Sequence, residues 1–521
     1  MSTASYDYII IGSGPAGCIL ANRLSADGST RILLLEAGRP DTDFVKTKSL
    51  DLGALFALWG PETDWGFVTE PGPGMHDQPM PIIQGKLLGG GSSNNGRIYI
   101  RGNRRDYDYW NYLGNEGWSY KDVLPFFKKS EDFLGEPNEY HGVGGPVPVM
   151  PLPAPSEVSQ ALVASAKEVF GAEGPVDLNG PRQENVAGFT QSTTTRNMER
   201  ASAAVAYLHP IMGQNNVKVE TQAQATRVLI ENGKAVGVEY VQNGETQQAR
   251  ADREVIVSAG AFGSPKLLML SGIGPAEHLR SHGISVVADL PGVGQNLQDH
   301  LLARMAWISL KPQPAPICIS EANIFTYTRG GLGEASPDMQ FLFSPFIFPN
   351  PYYDGPGFTM VPGIEQPTSV GYVQLRSSNP MDAPVIQPNF LTTDTDLEVL
   401  VWGIKHGREL IAQKPFDGLR GPELLPGPDV QTDDQIREYI RNTAITEWHP
   451  SCTCKMGRDN MAVVDPQLRV HGVGNLRVID SSIMPKIVNA NLMATIIMIG
   501  EKGADLVKQG AQSAIETGAS A

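Results

Sequence analysis

Apolar positions recur in two rhythms along this chain, and each predicts an element. Residues 6–38 open on YDYIIIG, a short continuous apolar run closed by glycine, the pattern of a buried strand. CILANRLSADG follows with apolar residues three and four apart, the spacing of one helix face, and RILLLEAG ends the unit as a second strand. VKVETQAQATRVLIENGKAVGVEYVQNGETQQA alternates around the turn signals ENGK and QNGE, which predicts an antiparallel meander or hairpin. DREVIVSAGAFGSPKLLMLSGIGP then repeats the strand, small-residue turn and helix of the N-terminus, a second unit able to return to the same ligand. MQFLFSPFIFP and SVGYVQLRSS alternate in the strand manner and predict an antiparallel sheet with aromatic faces, suited to lining a pocket. The stretch Gly144 to Pro155, GGPVPVMPLPAP, excludes helix and reads as a crossing between domains. Leu492 to Ile499 is an eight-residue apolar run, short of the about 20 residues a bilayer needs, and reads as a buried helix.

Composition narrows what these elements serve. The 521 residues are 41% hydrophobic and 19% charged, with 56 Gly and 40 Pro, as expected of a turn-rich globular α/β protein with room for two large folding units. A formal net charge of −15 without clustered Lys or Arg argues against a nucleic-acid partner and against an anionic membrane surface. The opening MSTASYDYIIIG has neither a basic flank nor a small-residue cleavage site, so the expected location is cytoplasmic. Four cysteines, Cys18, Cys318, Cys452 and Cys454, do not make a disulfide framework.

Two motifs carry chemistry. Gly12, Gly14 and Gly17 sit between a strand and a helix, and Glu36 lies 24 positions past Gly12, near the spacing of a ribose ligand. Such glycines bring backbone N–H groups close to a pyrophosphate at a helix N-terminus, and Glu36 accepts from ribose hydroxyls. Glu447 to Gly457, EWHPSCTCKMG, sets His449 beside a C-x-C pair. Structural zinc wants four ligands, and this cluster offers three with no second one nearby, so no metal is expected. A disulfide between residues two apart is strained, and a dithiol pair is usually C-x-x-C, so Cys452 and Cys454 read as small packed hydrophobes. For His449 the residues alone leave two readings open: a satisfied structural histidine, or a base near neutral pH.

The chain resembles the glucose-methanol-choline (GMC) flavoprotein oxidoreductases over essentially its whole length. GKLLGGGSSNNGRIYIRG (Gly85 to Gly102) and GAFGSPKLLMLSGIG (Gly260 to Gly274) are similar to the family's two signatures, and GSGPAG, GVGQNLQDH, HPSCTCKMG and VIDSSIMP agree in order. The resemblance implies an α/β fold in which a Rossmann-type FAD-binding domain (1–155, 205–302 and 456–521) is interleaved with an α+β substrate domain built on an antiparallel sheet (156–204 and 303–455). It implies FAD as the dinucleotide, held by Gly12, Ser13, Gly14, Ala16 and Gly17, by Glu36 and Ala37, and by Gly90, Ser92, Asn95, Gly96 and Ile98 of the glycine-rich loop. Ala225, Ala259, Gly260, Asp480, Ser481 and Trp448 complete that implied set. Members that attach their flavin covalently through this loop carry histidine where Asn94 stands here, so noncovalent FAD is expected.

By the same resemblance His449 is the catalytic base and Asn491 the second active-site position, which the family fills with His or Asn. Asn491 also suits a helix cap. Hydride loss from a carbinol is easier once its hydroxyl proton leaves: imidazole takes the proton, and the asparagine N–H steadies the oxygen without competing for it. A helix starting near Asn491 would add a partly positive N-terminus facing the flavin. Trp448, Phe343 and Val361 are the substrate-pocket candidates, with Phe346 and Phe348 beside them. The implied activity is oxidation of a primary alcohol to an aldehyde, the electrons passing to oxygen or another redox acceptor; the alternative is an FAD-containing hydroxynitrile lyase without net redox. NLMATIIMIGEK resembles the choline dehydrogenase branch, yet no acidic or aromatic cage in the sequence names choline.

Overall fold

The computed structural model describes residues 4–331, 335–348 and 353–518, with side chains to residue 512. Ser5–Ile11 runs parallel to Ile32–Leu35, which is followed on that side by Val217–Glu220. Its other neighbour is Glu245–Val257, a 13-residue strand with two kinds of partner. The second half of this strand is parallel to Ser5–Ile11, and its first half is antiparallel to Lys234–Gln242, which pairs back on Ala223–Glu231. The meander and the dinucleotide unit therefore share one seven-stranded sheet. Ile9, Ile10 and Leu34 are wholly buried in it, and each such side chain contributes about 1.5–3 kcal/mol relative to exposure. Helix Pro15–Ser25 packs against the C-terminal helix Leu492–Gly518, closely enough that a Cβ on Gly500 would stand 3.1 Å from the Ala16 Cα.

The second sheet has eight strands, and every neighbouring pair in it is antiparallel. Met305–Ser309, Gly357–Ile364, Met339–Ser344 and Ala322–Thr326 form its centre, and Leu301–Leu302 bridges Gly357–Ile364 to Ile445–Thr446. Helices Asp394–Ala412 and Glu157–Phe170 cover one face, and the opposite face looks toward the first domain. Covered on both sides, Met339–Ser344 and Gly357–Ile364 are buried at every position.

Two expectations are revised here. The proline-rich stretch is not a bare crossing: Val147–Pro151 is a strand, parallel to Glu131–Phe133 and antiparallel to Gln191–Ser192. The SVGYVQLRSS run is antiparallel as expected but stands apart from the eight-stranded sheet, with Gly371–Gln374 paired to Gln295–Leu297 and Val385–Gln387. Among the described residues no helix is long and apolar enough to cross a membrane.

Candidate active site

A cavity of about 500 Å³ is walled by both domains. The residues named from the sequence line it, except Ser13, Gly17, Phe343 and Phe346. At the dinucleotide end, helix Pro15–Ser25 begins on the wall, so its unpaired N–H groups face the space, a ready anion site. A Cβ on Gly14, Gly91 or Gly260 would meet no protein atom within 4 Å, because the open side of each is the cavity. The Gly89 N–H donates to Ser13 O at 2.9 Å and ties the two glycine loops together. A slot with bare backbone donors along one side fits a pyrophosphate-bridged cofactor such as FAD.

Two residues act from behind the wall. Ser13 donates its N–H (3.0 Å) and hydroxyl (2.6 Å) to Glu36 Oε2, while the Gly38 N–H holds Oε1 at 2.7 Å. It orients the Glu36 carboxylate on the wall and lines nothing itself. A Cβ on Gly17 would lie 1.9 Å from Gly12 O, so this glycine is required by loop-on-helix contact. Asp480 is held as firmly as Glu36: Oδ2 takes the Gly260 N–H (2.9 Å) and Ser264 hydroxyl (2.5 Å), and Oδ1 takes the Ser482 N–H and hydroxyl.

At the other end the peptide after Ile445–Thr446 is clamped by Asp299. Its Oδ1 accepts the His449 N–H at 2.8 Å and its Oδ2 the Thr446 hydroxyl at 2.5 Å. Trp448 takes φ +60°, a left-handed conformation costly for a bulky residue and held by its N–H to Thr446 Oγ1 at 2.8 Å. Its indole packs 4.8 Å from that of Trp59, whose Nε1–H donates to Asn94 O, so the aromatic wall is tied to the glycine-rich loop. His449 Nδ1 is 3.0 Å from His300 Nδ1. His300 is wholly buried, and its Nε2 has no hydrogen-bond partner among the described residues. With His449 Nδ1–H as the donor to His300 Nδ1, His449 Nε2 carries the lone pair. Asn491 donates to Glu447 Oε1 at 2.8 Å, and the same nitrogen lies 3.4 Å from His449 Nε2.

Burial sets the charge states. It pushes His449 well below the ordinary histidine range, with His300 adding to the effect, and pulls His300 itself down to about 3. Burial likewise raises Asp299 to about 7 and Glu365 to about 8, and it raises Glu447 strongly, helped by the neighbouring Glu365 and Asp299 carboxyls. The site thus favours neutral imidazoles and protonated acids. Glu365 keeps its proton in the folded chain up to about pH 8 and loses it near pH 4.5 when unfolded, so its contribution to stability is present below that lower value and lost as pH rises through about 8. The stability of the wild type relative to Glu365→Gln is therefore expected to fall between about pH 5 and pH 9, read as the difference in Tm.

Phe343 is the clear correction among the pocket candidates. It is fully buried on the helix face of its sheet against Phe358 and Phe416, whereas its neighbours Leu342 and Ser344 reach the cavity. Val361 and Phe348 are on the wall; Phe346 is not, and packs at a tilt against Phe348 and Phe56. The C-x-C pair is explained by packing: the N–H groups of Cys452, Cys454 and Met456 donate to the carbonyls of Ser481, Ser482 and Ile483, and the three side chains are buried in the core. Both cysteines are free thiols. Sequence reasoning assigned no role to Asp299, His300, Glu365, Glu447 or Trp59. The signal available was the juxtaposed Asp299 and His300 of GVGQNLQDH, two polar residues entering an apolar strand.

A family model for GMC oxidoreductase matches residues 6–302, and a second GMC oxidoreductase model matches residues 367–500. The mitochondrial choline dehydrogenase of Mus musculus is 40% identical over 96% of this chain and 89% of its own length. Among solved structures, pyridoxine 4-oxidase from Mesorbium loti superposes with TM-score 0.88 at 30% identity, covering 96% of this chain and 98% of its own. A variant of Aspergillus oryzae RIB40 formate oxidase studied for its FAD modification superposes with TM-score 0.90 at 25% identity, over 98% of this chain and 100% of its own.

Proposed function

This chain belongs to the GMC oxidoreductase family, and from that premise we propose that it oxidises a primary alcohol to an aldehyde, with noncovalently held FAD and with oxygen or another redox acceptor taking the electrons onward. The observation that carries the reading is the convergence of His449 Nε2 and the Asn491 amide, 3.4 Å apart, on the cavity wall. FAD, when bound, supplies the acceptor for the carbinol hydride. His449 Nε2 takes the hydroxyl proton, its ring held by His300 and its backbone by Asp299. Charged by that proton, the imidazolium faces the oxygen it came from and stabilises it. Glu447 holds the Asn491 amide so that its second N–H reaches the same oxygen. Trp59 and Trp448 keep water from that end.

Asn94 supports noncovalent FAD: its side chain is buried, and an amide offers no nucleophile for a flavin bond. The relatives reported above are dehydrogenases and oxidases, and the lyase alternative draws no support from them. The test is anaerobic mixing of the yellow protein with primary alcohols. At least one is expected to bleach the flavin with one aldehyde formed per flavin; cleavage of a cyanohydrin with the flavin left oxidised, and no bleaching by any alcohol, would overturn the reading.

A further inference from the structure

Residues 300–309 run extended beside Gly357–Ile364 in one unbroken register, with Leu302 opposite Gly363 and Met305 opposite Met360, which sets Arg304 opposite Val361. Leu301, Ala303, Met305 and Trp307 pack into the core under the helices. Alternation therefore turns His300, Leu302 and Arg304 to the other face. His300 meets the ring of His449, and Leu302 and Arg304 line the cavity. Four residues of extended chain, about 13 Å, separate His300 from Arg304. Between the ends of that span lies an apolar floor of Leu302 and Val361.

Arg304 is the odd charge on this wall. Among the described residues its side chain has no ion pair or hydrogen bond, and its Nε is buried without a partner. The other wall cations are occupied: Lys266 donates to the Pro380 and Asp382 carbonyls, Arg97 to those of Ile317, Ser49 and Leu50, and Lys86 sits 4.6 Å over the Trp65 ring. Of the wall carboxyls, Glu36 is held by Ser13 and Gly38 and Asp480 by Gly260, Ser264 and Ser482, while Glu447, at the His449 end, gives Oε1 to Asn491 and leaves Oε2 without a hydrogen-bond partner. A half-buried guanidinium whose Nε is shut off from water and from any partner is satisfied by a carboxylate, whose two oxygens match its fork. A quaternary ammonium would find aromatic faces in Trp59 and Trp448, but it would meet the like charge of Arg304, and burial holds Glu447, whose Oε2 is unpaired, in its protonated form.

We propose that Arg304 anchors an anionic group of the substrate, so that the preferred alcohols carry a carboxylate at the end remote from the reacting carbinol, across an apolar or aromatic spacer. The proposal rests on the alcohol-oxidising reading of this cavity and gives it a substrate class.

Two measurements on the FAD-loaded protein test it. In anaerobic bleaching, 4-(hydroxymethyl)benzoate is expected to exceed benzyl alcohol in kcat/KM by roughly 10- to 100-fold, the range of a charged hydrogen bond, with the para-trimethylammonium analogue below both. Arg304→Gln is expected to collapse that discrimination through KM, and Arg304→Lys to keep part of it. Independently of turnover, calorimetry is expected to give a benzoate Kd weakened by about tenfold or more in Arg304→Gln, with Arg304→Lys as the folded control that retains charge. Benzoate binding unchanged by Arg304→Gln, or preference for the cationic alcohol, overturns the anchor. If neutral alcohols bleach the flavin and benzoate ignores Arg304, the anchor alone falls. If no alcohol reacts but benzoate binding depends on Arg304, the alcohol-oxidising reading falls and the anion subsite stands.

Discussion

Replacing His449 by glutamine is expected to slow anaerobic bleaching by a reactive alcohol by about a hundred- to ten-thousand-fold, the usual contribution of a positioned general base. Flavin content and Tm should stay close to wild type. The imidazole is kept neutral by burial and by the His300 ring 3.0 Å away, so near neutral pH nearly every molecule presents a free Nε2. Glutamine matches the size and polarity of the ring and fills much of its space, but it cannot take a proton. The side chain is 13% exposed and belongs to the cavity wall more than to the core, so the loss should fall on kcat rather than on folding. A stopped-flow trace of the variant matching wild type with its best alcohol would remove His449 from the chemistry.

Two glycines of the same loop are expected to fail in different ways. Gly17→Ala places a methyl group 1.9 Å from the Gly12 carbonyl oxygen, a backbone atom that cannot swing aside, so loop and helix must separate. The cost should reach the upper end of the overpacking range, about 3 kcal/mol or more, and the variant should be poorly folded as well as colourless. Gly14→Ala meets no protein atom, and Gly14 has φ −62°, which any residue adopts. Its methyl group enters the space proposed for the cofactor, so this protein should fold normally and purify with little FAD. The ratio of flavin to protein absorbance, read with near-ultraviolet circular dichroism, separates the two outcomes. Equal flavin retention in both variants would count against this placement of the dinucleotide.

How far the sequence could be read depended on whether the needed information was local. The strand from Ser5 to Ile11, its glycine turn, the first helix and the meander are each specified within a few dozen residues, and they form as expected. Phe343 was misassigned for a physical reason. All six positions of Met339–Ser344 are buried, so aromatic content alone does not tell the faces apart; the phase is carried by Gln340 and Ser344, which share the parity of Leu342 and leave Phe343 on the helix face. Leu342, one residue away, is the side chain that reaches the cavity. His300 and His449 are 149 residues apart, and nothing short of the fold brings their rings together. Nothing in the local sequence around Glu365 and Glu447 marks them as buried acids. Arg304 was silent for a similar cause, since only the full set of pairings leaves it unmatched.

The joint attachment of the base to Asp299 and His300 has a consequence for how such a protein can diverge. One dipeptide fixes both the main chain and the ring of His449, whereas the recognition we propose falls further along the same strand and on its neighbours, at Leu302, Arg304, Val361 and Leu342. Reactivity and recognition are thus separable along a single stretch of backbone, and the taste for a new alcohol can be acquired by exchanging floor side chains while the proton-handling end remains undisturbed.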